Sequence, residues 1–311
     1  MTGRELRNVA ASVHQRLLNQ ARAKNRPFSE LLQYFAIERF LYRLSKSPHA
    51  ETFILKGALM LTVWGAPISR PTLDIDVLGL TDNEIATAVG VIQDVCRQEV
   101  EQDGLVFDPT SAQGENITED AGYHGVRVRF LGSLGRARIS MQFDVGFGDV
   151  VFPSVESMDY PTILDLPAPR LSGYSRESTV AEKLEAMAKL GLLNSRMKDF
   201  FDVWLLSREF DFEGETLAGA IVKTFATRGT EIPTLPMAMT TTMTNDAAKI
   251  TQWQGFIRRN RLSNVPDFSG AVDAIGEFLL PVLEVLARGN SFKGTWRAPG
   301  PWLKKTGASR G

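Results

Sequence analysis

One stretch constrains this chain more than any other: Lys56-Gly57-Ala58-Leu59-Met60-Leu61, then Arg70-Pro71-Thr72-Leu73-Asp74-Ile75-Asp76-Val77. An apolar run, Phe53-Ile54-Leu55, leads into it, and Val77-Leu78 leads out. In a strand, alternate residues share a face, so Asp74 and Asp76 point one way while Ile75 points to a core. Two carboxylates about 7 Å apart along a strand repel each other unless a cation sits between them. That donor set suits Mg²⁺, a hard cation that prefers oxygen ligands and phosphates. The Gly57-Ala58 turn upstream would let backbone amides approach phosphate oxygens closely. Together these features predict a metal–nucleotide site.

An isolated Asp-x-Asp has other readings. Phosphatases of the haloacid-dehalogenase type follow a long apolar strand, whereas here a loop with Arg70, Pro71 and Thr72 precedes the motif. Glycosyltransferases that use Asp-x-Asp place a nucleotide-sugar-binding sheet before it, and too little chain precedes this one. An EF-hand is excluded by Leu78 and Leu80, where further oxygen donors would be needed. A nucleotidyltransferase strand requires a third carboxylate on a neighbouring strand. The rest of the chain offers one in Asp144, on the polar side of an alternating run, Ala137 to Gly146, beside Val145.

At 311 residues, with 43% hydrophobic and 23% charged residues, the chain is long enough for one large or two smaller packed domains. A net charge of −1 means that any nucleic-acid contact must come from a local basic patch. The single Cys96 excludes an internal disulfide and a cysteine zinc site, and three scattered histidines suggest no metal cluster. No apolar run reaches the ~18 residues of a membrane span, and the N-terminus lacks a signal-peptide core. A cytoplasmic protein with no membrane partner is expected.

Residues 1–50 read as two amphipathic helices, broken at Pro27, with Ser29 as the second N-cap. Leu6, Val13 and Leu17 lie on the stripe of the first. Arg39, Arg43 and Lys46 read as a solvated face of the second. Residues 51–170 read as the sheet domain, in which Thr81 to Glu84 caps a helix and the polar run Asp108 to Gly122 is a surface loop. Val126 to Phe130 and Arg136 to Gly146 alternate as two strands of an antiparallel hairpin. An irregular proline-bearing connection with one edge strand follows. Residues 171–290 read as a C-terminal helical domain, and 291–311 as a flexible, glycine-containing basic tail.

The blocks Leu55 to Leu61, Arg70 to Thr72 and Asp74 to Asp76 resemble those of AbiEii/AbiGii-type nucleotidyltransferase toxins, a branch of the DNA polymerase β-like nucleotidyltransferase superfamily. The resemblance continues at Thr179 to Lys183, Lys198 to Asp202, Thr224 to Thr230 and around Trp253–Phe256. It implies an α+β fold, a mixed sheet with flanking helices followed by a helical bundle. It makes Asp74 and Asp76 the metal pair and Asp144 the third carboxylate, as ligand or base. Lys183, a snorkelling surface lysine by spacing alone, becomes a contact to the triphosphate. Asp199 and Asp202, which share a helix face at i, i+3, become active-site residues that bind nucleotide or orient Lys183. Lys56, Gly57, Ala58 and Arg70 join the nucleotide-binding set.

The resemblance further implies NTP as substrate, one or two Mg²⁺ ions as cofactor and a companion antitoxin protein. The expected reaction moves a nucleoside monophosphate to an acceptor, with the 3′ end of tRNA foremost. Lys223, Arg228, Arg258, Arg259 and Arg261 are candidate contacts to an RNA backbone. The alternatives are a protein-modifying or kinase-like enzyme and a non-catalytic nucleotide-binding module. Two departures stand out: Gly57-Ala58-Leu59 lacks the second Gly and the Ser or Thr common in the family, and Lys198 stands where many members have Arg.

Overall fold

The computed structural model describes residues 3–67, 70–118 and 124–304. The side chains of residues 3–8 (Leu6 among them), Thr118 and His124 lie outside the described part, as do residues 119–122 of the expected loop and the tail beyond Lys304. The chain forms two compact units, one of residues 1–65, Pro71–Gly148 and Glu156–Gly173, the other of Ala66–Arg70, Asp149–Val155 and the chain from Tyr174 on.

The first unit is built around a mixed sheet with helices against it. Its elements are α1 (Gly3–Ala23), α2 (Phe28–Lys46), β1 (Phe53–Lys56), α3 (Leu59–Val63), β2 (Asp74–Gly79), α4 (Ile85–Arg97), β3 (Leu105–Thr118), β4 (His124–Leu134), β5 (Ala137–Phe147), β6 (Glu156–Asp159) and β7 (Arg170–Gly173). Among the described residues the strand order is β3-β4-β5-β2-β1-β7-β6. β2 runs parallel to β5, β1 runs parallel to β7, and the remaining pairs are antiparallel. Alternation along β5 buries Ile139, Met141 and Phe143 under the helices. There Phe40 of α2 meets Phe130 at 4.7 Å between ring centroids and Phe107 at 5.4 Å.

Several expectations are corrected. The Asp108–Gly122 loop is, as far as Thr118, most of the edge strand β3. Its period is hidden because the register with β4 shifts between Asp108 and Gln113, which moves side chains from one face to the other. The Gly132–Gly135 turn is shorter, since Gly132 is paired within β4 and the strands close at Leu134↔Ala137. Helix α2 starts two residues earlier than a Ser29 cap allows, with Pro27 as N-cap, and α4 is preceded by Glu84 with no side-chain cap.

The supposed solvated face of α2 is the largest departure. Arg39 and Arg43 are buried, and both bind Asp103: Arg39 Nε at 3.0 Å, Arg43 Nη1 and Nη2 at 2.6 and 3.0 Å. Burial alone would raise the Asp103 carboxyl, but the two guanidiniums outweigh it and hold it below the usual carboxylate range. Beside them Glu38 is fully buried; its Oε2 accepts the Ile163 N–H at 2.7 Å and its Oε1 accepts no hydrogen bond. Burial, only partly offset by that N–H and by Arg39, pushes Glu38 up to about 7.

A carboxyl whose pKa rises on folding binds more protons in the folded state. The Glu38 contribution to stability is therefore greatest at low pH and declines as pH rises from 4.5 to about 7. Glu38→Gln is expected to flatten the pH dependence of urea unfolding in that window and to add roughly 3 kcal/mol above it. An unchanged slope would assign the titration to another group.

The second unit contains α5 (Arg176–Leu190), α6 (Met197–Glu209), β8 (Phe212–Glu213), α7 (Gly214–Thr227), α8 (Thr241–Thr244), α9 (Ala247–Arg259), α10 (Phe268–Leu286), β9 (Thr295–Trp296) and β10 (Trp302–Leu303). The side chains of Ser175, Asp246 and Asp267 cap α5, α9 and α10. Phe200 and Phe201 of α6 pack on Phe268 and Phe256. The stretch read as a loose tail is built in as far as Lys304: β9 and β10 join β8 in a small sheet. Trp296 is buried and donates its indole N–H to Ser207 O at 2.7 Å, and Trp302 stacks on Phe278. Two tryptophans that cover apolar surface and find polar partners outweigh the local glycines.

Candidate active site

The two units each carry a polar cluster. In the first, hydrogen-bond register aligns the charges. Lys56 of β1 stands opposite Asp76 of β2, Asp76 opposite Asp144 of β5, and Asp144 opposite Arg127 of β4. One row further along, Asp74 stands opposite Gln142, and Gln142 opposite Arg129. Side chains opposite one another share a face, so the sheet brings Asp74, Asp76 and Asp144 to one face, with Ile75 and Phe143 buried on the other.

Residues to which the sequence assigns no role of their own fix this face. Thr72 is held by the Tyr34 hydroxyl, which accepts its N–H at 3.1 Å, and the Thr72 hydroxyl in turn accepts the Asp74 N–H at 3.4 Å. Arg127 grips Asp144 with two hydrogen bonds, Nε to Oδ1 at 2.9 Å and Nη2 to Oδ2 at 2.7 Å, and Gln142 Nε2 adds a third at 3.1 Å. Those bonds raise Arg127 above the ordinary arginine value, and the nearby charges of Asp74 and Glu115 add to the effect. In the sequence, the strict alternation of Val126-Arg127-Val128-Arg129 puts both arginines on the polar face of the strand.

Gly57 follows Lys56 at a φ of +73°, a conformation that L side chains rarely adopt. A Cβ built there would lie 2.2 Å from Asp76 Oδ2 and 2.9 Å from Asp76 Cβ. In this structure the glycine makes room for a carboxylate of the pair. Gly57→Ala must therefore displace Asp76, whose own Cβ belongs to a sheet strand and cannot move aside freely. An active-site misplacement of about 1 Å costs roughly 10²-fold in rate. A loss of that size is expected for Gly57→Ala in a transfer assay, with far-UV circular dichroism unchanged.

In the second unit, α5 presents Lys183 and α6 presents Asp199 and Asp202 one turn apart. Lys183 Nζ lies 2.7 Å from Asp199 Oδ1 and 2.8 Å from Asp202 Oδ2. Arg70, whose segment Ala66–Arg70 belongs to this unit, binds Asp202 through Nε and Nη2 at 3.0 and 3.1 Å. Arg196 Nε lies 2.6 Å from Asp199 Oδ2. Both carboxylates are buried. Burial opposes their ionisation, yet Lys183 and Arg196 hold Asp199 well below the usual range, and Arg70 and Lys183 hold Asp202 below it. Burial would likewise lower Lys183, but the two carboxylates outweigh it and keep the ammonium charged. Lys183 is thus no snorkelling lysine; its partners arrive from the next helix.

Of the arginines proposed for RNA, Arg228 is committed elsewhere in this unit. It binds Asp149 at 2.8 Å and Glu185 at 2.9 Å, with Glu182 at 3.5 Å. Arg258, Arg259 and Arg261 are exposed at and beyond the end of α9, and Lys223 is exposed on α7.

The donor chemistry can be tested against a divalent ion. Asp74 and Asp76, hard oxygen donors two residues apart on one strand face, fit one. Asp144 fits less well, because its carboxylate already carries a bidentate guanidinium. Among the described residues, no group of three or more His, Cys, Asp or Glu side chains converges as a metal cage. No helix of the described chain is long and apolar enough to cross a membrane.

The paired strand carboxylates on the mixed sheet are a hard oxygen donor set suited to phosphoryl chemistry. The sequence matches the family described as nucleotidyl transferase AbiEii toxin, type IV TA system, over residues 39–274, and the chain belongs to that family. It is a nucleotidyltransferase of the toxin–antitoxin class, for which the family implies an NTP substrate and an antitoxin partner. No curated protein matches the sequence. A solved structure of a provisional nucleotidyltransferase from H. pylori is 13% identical, with a TM-score of 0.47 over 84% of this chain and 96% of that one. JHP933 from Helicobacter pylori is 12% identical, with a TM-score of 0.45 over 81% and 90% of the two chains.

Proposed function

We propose that this protein is a cytoplasmic, Mg²⁺-dependent toxin that transfers a nucleoside monophosphate from NTP to the 3′ end of tRNA, with release of pyrophosphate. The observation that carries the reading is the placement of Asp74 and Asp76 on one face of β2, with Gly57 shaped to receive Asp76. Those two residues would hold the divalent ion, which when bound supplies charge neutralisation at the phosphates. Lys183 uses two of its three N–H donors on Asp199 and Asp202, which leaves one for a phosphate oxygen in a fixed orientation. Arg70 fixes Asp202 and thereby Lys183. Exposed Arg258, Arg259 and Arg261 are the proposed contacts to the RNA backbone, and neutralisation by an antitoxin follows from the family.

The test is incubation of the protein with Mg²⁺, each α-³²P-labelled NTP and total tRNA. Label entering tRNA, removable by 3′-end digestion and absent with an Asp76→Ala variant, is the expected result and names the nucleotide. Label on protein would move the assignment to side-chain modification. NTP binding without label anywhere would leave a binding module.

A further inference from the structure

On the charged face of the first unit, Asp144 is buried and both of its oxygens are engaged. Arg127 donates one hydrogen bond to each oxygen, and Gln142 donates its amide N–H to Oδ2. A bidentate guanidinium–carboxylate pair at 2.7–2.9 Å is among the stronger and more geometrically fixed polar contacts in proteins. Arginine cannot relieve it by losing a proton. A divalent ion bound at Asp144 would have to displace this pair, or sit beside a fixed positive charge at close range. Breaking a buried pair also leaves one charge uncompensated. Asp76 stands on the adjacent strand, directly opposite Asp144, and Asp74 lies one row away. The guanidinium therefore sits at the edge of the proposed cation site.

We propose that Arg127 provides, at Asp144, the positive charge that a second divalent ion would otherwise bring, so that the site works with one metal ion and one guanidinium. This rests on the nucleotidyltransferase reading of Asp74 and Asp76 given above, and it revises the role of Asp144. Asp144 becomes a positioning residue that orients Arg127, in place of a metal ligand or base. Two of the five N–H donors of Arg127 go to Asp144. Its side chain is 26% exposed, so donors remain for a phosphoryl oxygen of the nucleotide. Charge there is fixed in the fold, whatever the free Mg²⁺ concentration.

The test counts Mn²⁺ bound per chain by electron paramagnetic resonance, with the full-length protein saturated by an NTP analogue whose α–β bridge cannot be cleaved. One ion per chain is expected for the wild type and for Asp144→Asn. Analogue affinity should fall about 10- to 100-fold in Arg127→Gln, the size expected when a charged hydrogen-bond partner is lost, and recover in part in Arg127→Lys. Arg127→Ala releases Asp144 and should raise the count to two, and Arg127→Ala with Asp144→Asn should return it to one. A wild-type count of two that drops in Asp144→Asn overturns the proposal, as does a count of one in a folded Arg127→Ala. The wild-type and Asp144→Asn counts decide the matter even if the alanine variant does not fold. A wild type that binds no Mn²⁺, or a count unchanged in Asp76→Asn, overturns the underlying assignment of Asp74 and Asp76 instead.

Discussion

Asp76→Ala is expected to lower nucleotidyl transfer by about 10³-fold or more while leaving the protein folded. Phosphoryl-transfer catalysis rests on positioning and on neutralising charge, so, with Asp74 and Asp76 proposed to hold the cation, loss of one of them is expected to remove several kcal/mol of transition-state stabilisation. Asp76 also stands between Lys56 and Asp144 in register and fills the space over Gly57. Alanine there leaves the strand pairing intact, because the carboxylate lies on the polar face and Ile75 and Val77 keep the core. The assay is initial-rate transfer of label from α-³²P-NTP, beside a thermal melt. Retention of more than a tenth of the wild-type rate would exclude Asp76 from the site. Asp74→Ala should behave alike, whereas Asp144→Asn, acting through Arg127, should cost less and act mainly on nucleotide affinity.

The second large effect is on stability. Lys183→Met removes the ammonium that two buried carboxylates share, and breaking a buried pair by deleting one partner costs about 3–5 kcal/mol. Asp202 keeps Arg70 and Asp199 keeps Arg196, which places the expected loss near the lower end. The pH dependence has a definite sign. Burial raises the Asp199 carboxyl, and Lys183 first, then Arg196, bring it below its unfolded value. A depressed carboxyl pKa gives stability that is present above the unfolded pKa and is lost as pH falls through the folded one. The deficit of Lys183→Met in urea unfolding should therefore be full at neutral pH and shrink below about pH 4, where Asp199 can protonate in the variant. Lys183→Met with Asp199→Asn should recover part of it. A neutral-pH deficit below about 1 kcal/mol would mean that the pair is far more hydrated than its burial indicates.

The sequence exposed those features whose partners lie close along the chain. The Asp74–Asp76 alternation, the β4–β5 hairpin and the long apolar helices all follow from local period. What it hid depends on distant pairing. Arg39 and Arg43 have the spacing of a wet helix face and are dry only because Asp103 meets them across the fold. By spacing alone Lys183 reads as a surface lysine on α5; the two carboxylates that hold it come from α6. β3 reads as a loop because a register shift between Asp108 and Gln113 erases its alternation. Trp296 and Trp302 sit among glycines and prolines, and their order comes from distant partners: the aromatic surface of Phe278, the Ser207 carbonyl and the pairing with β8. Arg127 was visible as a polar-face residue of a strand. That it pairs with Asp144 follows only from the register.

The path of the backbone bears on how this protein can be divided. Two short segments, Ala66–Arg70 and Asp149–Val155, leave the sheet unit to become part of the helical one and then return. Each brings a counter-charge: Arg70 for Asp202, Asp149 for Arg228. A fragment starting at Tyr174 would hold every helix from α5 to α10 yet lack both partners. The helical half lifted out at Tyr174 would therefore keep Lys183 for Asp202 and Glu185 for Arg228 but lose the two counter-charges that come from earlier in the chain. During synthesis, its ionic anchors leave the ribosome well before the helices that need them.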